Sequence, residues 1–149
     1  MIQITMRNAA IALIGAAVFA SPALAGQCPA NKNAANELKG APTAPKGVTD
    51  TVIGSVDLGA EIGVPDRQLR TRRLVVQPGG IVPLHSHKDR PALIYTVSGQ
   101  ITEYRSSCAV PILHKGGDIA READGISHYW INHGKVPAVL LSSDVHHGN

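Results

Sequence analysis

Aromatic residues are scarce in this chain of 149 residues, where Phe, Trp and Tyr together make up only 3% of the sequence. Beyond residue 25 the aromatic side chains are Tyr95, Tyr104, Tyr129 and Trp130. Binding of nucleic-acid bases by stacking on aromatic rings therefore has almost nothing to use. The core must be aliphatic, built from Val, Ile, Leu and Ala.

The chain also lacks a large block of charge of one sign. Its net charge is +3, and the basic residues are scattered apart from Arg67, Arg70, Arg72 and Arg73. We interpret these four arginines as the solvated face of a strand, because nucleic-acid recognition needs a clustered basic surface. We therefore expect no nucleic-acid partner.

No hydrophobic run is long enough to span a bilayer, which takes about 20 residues. The apolar run at 9–20 follows Arg7 and precedes Ala23-Leu24-Ala25, an A-x-A cleavage site. These features predict a signal peptide over residues 1–25, export to the periplasm or exterior, and no stable membrane anchor after cleavage. An uncleaved anchor or a buried first helix is the alternative. Cleavage before Gly26 leaves about 124 residues, which is enough for one domain.

Cysteine is limited to two residues, Cys28 and Cys108. Export to an oxidising compartment favours a disulfide between them, which would attach the N-terminal segment to the domain. Two free thiols, or pairing between chains, are the alternatives.

Long helical periodicity is also missing beyond residue 25. Short β-prone runs separated by Gly, Pro and Asp predict strands at 51–58, 69–77, 81–85, 92–97, 100–104, 111–114, 118–121, 127–132 and 138–143. Turns every 8 to 12 residues are typical of an all-β sandwich or barrel. We predict a linker or arm at 26–50 with a short helix near 33–39, a barrel at 51–144, and a tail at 145–149.

Histidines and glycines form the most informative pattern. Gly79-x5-His85-x-His87 is followed by Gly99, and then by Gly117-x7-Gly125-x2-His128-x3-Asn132. On a strand, His85 and His87 point to the same face, and His128 arrives in a glycine and asparagine frame of its own. Three convergent imidazoles are a plausible site for a divalent transition metal such as Fe, Mn, Ni, Cu or Zn.

These two segments resemble the two sequence motifs of the cupin superfamily, and the likeness covers roughly residues 51–144. It implies a small double-stranded β-helix, or jelly roll, with a metal inside the barrel. The family usually adds a glutamate ligand, and counting back from Gly99 puts Ala92 at that position. The resemblance therefore carries over only three metal ligands, His85, His87 and His128. Cupins with three histidines exist and include iron dioxygenases.

Two acids could replace the missing glutamate as ligand, hydrogen-bonding partner of a ligand, or base: Asp89, beside the first motif, and Glu103, on the following strand. For both, an ordinary exposed acid is the alternative. Strand alternation places Trp130 and Asn132 on the face of His128, and it places Ala92, Ile94 and Thr96 together on another strand. Trp130 is a candidate apolar wall over the metal, and Asn132 a turn-holding residue.

The other polar residues receive plainer interpretations. Tyr95, Arg90 and Arg105 could bind a substrate anion, although nothing in the sequence favours this over surface roles. We interpret His114 as a turn cap, and His146 and His147 as part of a solvated tail.

Three functions compete at this point. One is a periplasmic metal-dependent dioxygenase acting on a small chelating molecule such as a diketone, phenol or thiol. Another is a non-catalytic module that binds a small ligand or a metal. The third is a metal-assisted isomerase or lyase. All three predict metal loss at roughly pH 5–6.5, because protonated imidazole is no ligand. Pairing through edge strands, common among cupins, implies a homodimer.

Overall fold

The computed structural model describes residues 26–148, so the predicted signal peptide lies outside the described part of the chain. The elements are a 3₁₀ turn at Ala30–Lys32, β1 (Lys46–Asp57), α1 (Leu58–Ile62), β2 (Arg67–Ser86), β3 (Ala92–Ser98), β4 (Gln100–Arg105), β5 (Ile112–Lys115), β6 (Ile119–Glu122), β7 (Ser127–Ile131) and β8 (Ala138–His147). No helix among residues 26–148 is long and apolar enough to cross a membrane. The prediction of an all-β domain is confirmed.

The strands form one sheet in the order β5-β4-β7-β2-β8-β3-β6, with β1 added on β2. Every pairing is antiparallel, and the sheet curls into a nearly closed jelly-roll barrel. The order brings β2 between β7 and β8, so the strand that carries the first histidine motif lies directly beside the strand that carries the second.

β2 replaces two predicted strands with one strand of 20 residues. Pro78-Gly79-Gly80 separates the two strands predicted at 69–77 and 81–85, and Gly79 does adopt a left-handed φ of 71°. The segment bends the strand without breaking it: its N-terminal half pairs with β1 and β8, and its C-terminal half pairs with β7. Proline and glycine at a bend in a barrel strand serve this purpose.

The N-terminal arm differs from the prediction in two respects. The helix predicted near 33–39 is absent, because Ala34 and Asn36 donate backbone hydrogen bonds to the 106–107 segment and run extended along it. β1 begins at Lys46, five residues before the predicted boundary of the barrel. The disulfide Cys28–Cys108 is present, with the two Cα atoms 5.8 Å apart, and it fastens the arm to the barrel.

The core is aliphatic apart from Trp130, in agreement with the composition. Its buried cluster consists of Leu74, Val76, Ala92, Ile94, Ile101, Ala120, Trp130, Ala138 and Leu140. The predicted tail is also part of the barrel, since β8 continues to His147 and pairs there with the start of β2. This pairing makes His146 half-buried, whereas His147 remains exposed.

Candidate metal centre

The three histidines of the two motifs meet inside the barrel. His85 lies near the end of β2, His87 follows directly after that strand, and His128 lies on β7 opposite His85 in the antiparallel register. The Nε2 atom of His85 is 3.0 Å from Nε2 of His128 and 3.2 Å from Nε2 of His87. The strand pairing therefore brings together residues that are 43 positions apart in the sequence.

The other ring nitrogen of each histidine faces a hydrogen-bond acceptor. Nδ1 of His85 donates to the carbonyl of Pro83, and Nδ1 of His87 donates to the carbonyl of Arg90, both at 2.8 Å. Nδ1 of His128 donates to the carboxylate of Glu103, also at 2.8 Å. Metal-ligating histidines are held in this way, with the proton on the outer nitrogen.

The arrangement fits a metal cation. With the protons on Nδ1, the three Nε2 lone pairs face one another at hydrogen-bond distance without a hydrogen between them, which is repulsive unless a cation shares them. Nitrogen ligands about 2.1 Å from an ion lie about 3.0 Å apart at right angles and about 3.4 Å apart in a tetrahedron. The observed separations of 3.0 and 3.2 Å fall in this range.

Burial keeps these imidazoles neutral. Desolvation, reinforced by the neighbouring His128, lowers the pKa of His85 to about 3 and that of His87 to about 4. Desolvation likewise lowers the pKa of His128, against the opposing effect of Glu103. All three rings are therefore unprotonated at neutral pH, which is the form that binds metal.

A buried ionic network stands behind His128. Glu103 is fully buried and accepts two hydrogen bonds from Arg105, at 2.7 and 2.9 Å, and one from His114 Nε2 at 3.0 Å. Burial alone would raise the pKa of Glu103, but the hydrogen bonds from His114, His128 and Arg105 outweigh it and hold the pKa well below its usual range. Glu103 is thus an anion whose contact is with the outer nitrogen of His128, away from the Nε2 triad.

The network contains a second buried acid, Glu122, that the sequence did not single out. Glu122 accepts a hydrogen bond from Arg105 at 3.0 Å and lies 3.1 Å from Nδ1 of His128. Desolvation and the negative charge of Glu103 raise its pKa, so Glu122 is the neutral member of the pair. Glu103, Glu122 and His128 are close enough together to hold an ion, but Arg105 already bonds both carboxyl groups.

Trp130 also contacts His128. The indole Nε1 lies 3.0 Å from His128 Nδ1. That nitrogen cannot accept from Trp130 while it donates to Glu103, and we assign its proton to the contact with the carboxylate, since hydrogen bonds to an ionised group are stronger. The Trp130 ring packs at 4.5 Å from the His114 ring.

The histidine triad opens into a cavity of about 240 Å³. Its walls are apolar, with Trp130 and Ile94 among them, and its polar part contains Arg72, Arg90, Asp50 and Ser142; the remaining lining residues are Leu74, Val82, Pro83 and Leu140 beside His85, His87 and His128. Sites for drug-sized ligands span about 300–1,000 Å³, so this cavity suits a small molecule.

The predicted pocket residues fall into two groups. Ile94 and Trp130 line the cavity, whereas Ala92 and Thr96 do not. Ala92 and Thr96 share the inward face with Ile94 and are buried, but each is two residues along the strand from it, about 7 Å, and lies at another depth of the barrel. Ala92 is paired across the sheet with Glu122 on one side and with Asp144 on the other.

Asp89 is placed differently from Glu103. It is exposed, its φ of 58° places it at a turn, and its backbone carbonyl accepts a hydrogen bond from Arg67. It belongs to neither group of acids and histidines that could hold a metal, so the structure does not bring it to the site. A loop position next to a ligand in sequence does not fix the direction of a side chain.

Two of the plainer interpretations were wrong. His114 is fully buried in the Glu103 network and caps no turn. Arg70 and Arg72 are not solvated: their side chains are 19% and 16% exposed and pair with Asp144 and Asp50. The sequence alternation of β2 could not predict this, because the carboxylates that pair with these arginines lie on other strands, β1 and β8.

Asn132 behaves as predicted. It is fully buried, its Nδ2 donates to the carbonyls of Val76 and Val136, and its Oδ1 accepts from the backbone of Gly134. It therefore holds the turn between β7 and β8 against β2.

Fold and site together define a jelly-roll barrel with an internal three-histidine group. The family model described as "Cupin domain" matches residues 72–144. Auxin-binding protein ABP19b of Prunus persica is 33% identical over 84 residues, which are 54% of this chain and 40% of that protein. Germin-like protein 1 of Brassica napus is 32% identical over 76 residues, 49% of this chain and 37% of that protein. The chain thus spans less than half the length of these relatives.

Solved structures agree on the fold. A predicted oxalate decarboxylase from Thermotoga maritima has a TM-score of 0.55 at 17% identity, covering 75% of this chain and 97% of the other. An oxalate oxidase in complex with the substrate analogue glycolate has a TM-score of 0.52 at 18% identity, covering 74% and 55%. With the family match over residues 72–144, the chain belongs to the cupin superfamily.

Proposed function

We propose that this chain is an exported cupin that holds one divalent transition-metal ion on His85, His87 and His128 and acts as a metal-dependent dioxygenase on a small chelating molecule. The observation that carries the proposal is the convergence of three unprotonated Nε2 atoms, 3.0 and 3.2 Å apart, at the wall of a cavity. A shell of three neutral ligands leaves the full charge of the ion available to the ligand in the cavity.

When bound, an iron(II) ion would supply Lewis acidity and redox chemistry with dioxygen. The protein's part is positioning. The carbonyls of Pro83 and Arg90 and the carboxylate of Glu103 fix the three rings, and an ion held by these three ligands alone would keep coordination positions for a ligand from the cavity. Trp130 and Ile94 supply apolar walls that exclude water around a bound ligand.

One observation favours a second candidate, a non-catalytic module that binds a small ligand or metal. Within residues 26–148, the one carboxylate that lines the cavity is Asp50, which accepts a hydrogen bond of 2.6 Å from Arg72. The cavity therefore offers no free general base, which also counts against an isomerase or lyase that must move a proton. An oxygenase in which the metal activates the substrate depends less on such a base.

Oxygen uptake separates the two candidates. Protein loaded anaerobically with iron(II) is mixed with acetylacetone, catechol or cysteamine in an oxygen electrode. Substrate-dependent uptake in the wild-type protein, lost in His128→Ala, supports the dioxygenase. His133→Ala is the matched control, because His133 is exposed, lies after the end of β7 and belongs to neither group of residues that could hold a metal, so it should change nothing. Metal retention without uptake on any probe supports the binding module.

Export is part of the same proposal. It is supported by the pattern of residues 1–25 and by the Cys28–Cys108 disulfide, which suits an oxidising compartment. The test is the mass of the protein recovered from a periplasmic fraction, which should begin at Gly26. A protein that retains residues 1–25 and remains in the cytoplasm would refute export.

A further inference from the structure

The polar part of the cavity holds an excess of positive charge. Arg72, Arg90 and Asp50 line it, and the ion pair of Arg70 with Asp144 lies beside them, so that three arginines face two carboxylates. Arg70 donates two hydrogen bonds, of 3.0 and 2.8 Å, to the carboxylate of the fully buried Asp144. Arg72 donates a hydrogen bond of 2.6 Å to the carboxylate of Asp50.

Arg90 is left with the weakest contact. Its guanidinium lines the cavity and reaches an acid only at 3.7 Å, on the oxygen of Asp144 that Arg70 already bonds. The Arg90 side chain is 27% exposed, so its charge is partly removed from solvent without a close counter-ion. A half-buried guanidinium with unused donors is a ready partner for an anion.

Neighbouring groups add donors rather than acceptors. The Nε atom of Arg72 is buried and has no hydrogen-bond partner among the described residues. Ser142 Oγ accepts a hydrogen bond from Arg72 Nη2 at 3.2 Å, which leaves its own hydroxyl proton free to donate. An anionic group between Arg90 and these two residues would satisfy donors that are otherwise unpaired.

The turn from His87 to Arg90 positions Arg90 relative to the histidine triad. Its backbone carbonyl accepts the hydrogen bond from His87 Nδ1, and its backbone N–H donates to the carbonyl of His87. The position of a ligand bound to the Arg90 guanidinium is therefore fixed relative to the His87 ring, one of the three metal-facing rings. The walls between the two ends are apolar, which suits an organic body better than an inorganic anion.

We propose that the ligand of this cavity is a small organic monocarboxylate, whose carboxylate binds Arg90 and the adjoining donors of Arg72 and Ser142 while its other end faces the histidines. This inference rests on the proposed function for the role of the histidine end. It adds to that function the negative charge of the ligand, and it assigns Arg90 as the residue that selects for this charge.

The test uses a matched pair of probes, 4,6-dioxoheptanoate and its primary amide, which share a diketone and differ only in charge. Their dissociation constants are measured by calorimetry on zinc-loaded protein, with the metal content of each sample determined first. The wild-type protein should bind the acid about tenfold or more tightly than the amide, as expected for a charge-assisted hydrogen bond. Equal affinity for the two probes would overturn the proposal.

Variants assign the preference. Arg90→Gln should reduce it to less than about threefold, and Arg90→Lys, which retains the charge, should keep an intermediate preference. Arg121→Gln is the control, because Arg121 is exposed and pairs with Asp124 outside the cavity. An undiminished preference in Arg90→Gln would overturn the assignment, and so would an equal loss in Arg121→Gln.

The outcome is separable from that of the proposed function. If wild-type protein retains no zinc, the metal proposal fails. The proposed carboxylate site is then tested on metal-free protein, by following the binding of butanoate and of butanamide with ligand-observed NMR. Preference for butanoate that is lost in Arg90→Gln would sustain it, and absence of any such preference would refute it.

Discussion

Replacing Glu103 by Gln changes the charge behind His128 while nearly keeping the volume of the side chain. Glu103 accepts the proton of His128 Nδ1 at 2.8 Å, and it is the anion of the buried network. Gln removes the negative charge that makes the imidazole a stronger donor to a metal, and its amide can present nitrogen instead of oxygen to Nδ1. Loss of such a partner typically weakens metal affinity about 10- to 100-fold, or roughly 1.4 to 2.7 kcal/mol.

Glu122→Gln is the matched control for this variant. Glu122 lies in the same network but is neutral, because desolvation and the charge of Glu103 raise its pKa. An amide therefore imitates it, and zinc affinity should stay within about threefold of wild type. The assay is competition for zinc against a chromophoric chelator at pH 7.

Folding must be followed in parallel. Removing one partner of a buried ion pair typically costs about 3–5 kcal/mol, although Glu122 can ionise and take over Arg105. Thermal melts of the metal-free variants establish that the affinities belong to folded protein. Wild-type zinc affinity in Glu103→Gln, or an equal loss in Glu122→Gln, would refute the assigned roles.

Three further predictions concern pH, the disulfide and assembly. The metal-free protein should lose stability as pH falls below about 6.5. In the unfolded chain histidine binds a proton below that pH, whereas in the folded protein the pKa values of His85 and His87 are about 3 and 4. The free energy of unfolding should therefore fall by at most about 1.4 kcal/mol per pH unit for each ring. Urea unfolding at pH 7 and pH 4.5 measures this, and a slope that is unchanged in a His85→Gln, His87→Gln double variant would contradict it. Reduction of Cys28–Cys108, separated by 80 residues, should cost roughly 4.5 kcal/mol by loop entropy; identical urea midpoints with and without reductant would contradict this. A homodimer through the outer edge of β1, where Ile53 is 56% exposed, should dissociate in Ile53→Lys, and a wild-type monomer in light scattering would exclude it.

These pKa values also change an expectation drawn from the sequence. Free imidazole chemistry predicted metal loss at roughly pH 5–6.5. Because burial lowers the pKa values of His85 and His87 to about 3 and 4, protons compete for these two ligands only in more acidic solution. Metal content after dialysis should therefore persist below pH 5.

The strand pattern and the two glycine-histidine motifs were sufficient to predict the fold and the meeting of the three histidines. The reason is that a register between β2 and β7 places His85 opposite His128, and the motifs specify that register. Turn residues marked most strand ends correctly, but Gly79 was misleading, because a glycine at left-handed φ can bend a barrel strand as well as end one.

The surroundings of the histidines could not be predicted in the same way. The split of charge between Glu103 and Glu122 depends on which carboxyl group receives more hydrogen bonds in the folded barrel. Selection of Arg90 over Tyr95 and Arg105 as an anion-binding residue depends on which side chain reaches the cavity: Tyr95 is exposed and Arg105 is occupied by the glutamates. Neither the charge state of the two glutamates nor the position of Arg90 in the cavity produces a residue spacing that can be recognised in the sequence.

The most direct test of the central claim is elemental analysis of untagged protein purified from the periplasm, beside the His128→Ala variant. The three-histidine site predicts about one equivalent of a divalent transition metal per wild-type chain, and no stoichiometric metal in the variant with its fold intact. Wild-type protein without metal, which retains none after reconstitution, would contradict the claim, and so would unchanged metal content in His128→Ala.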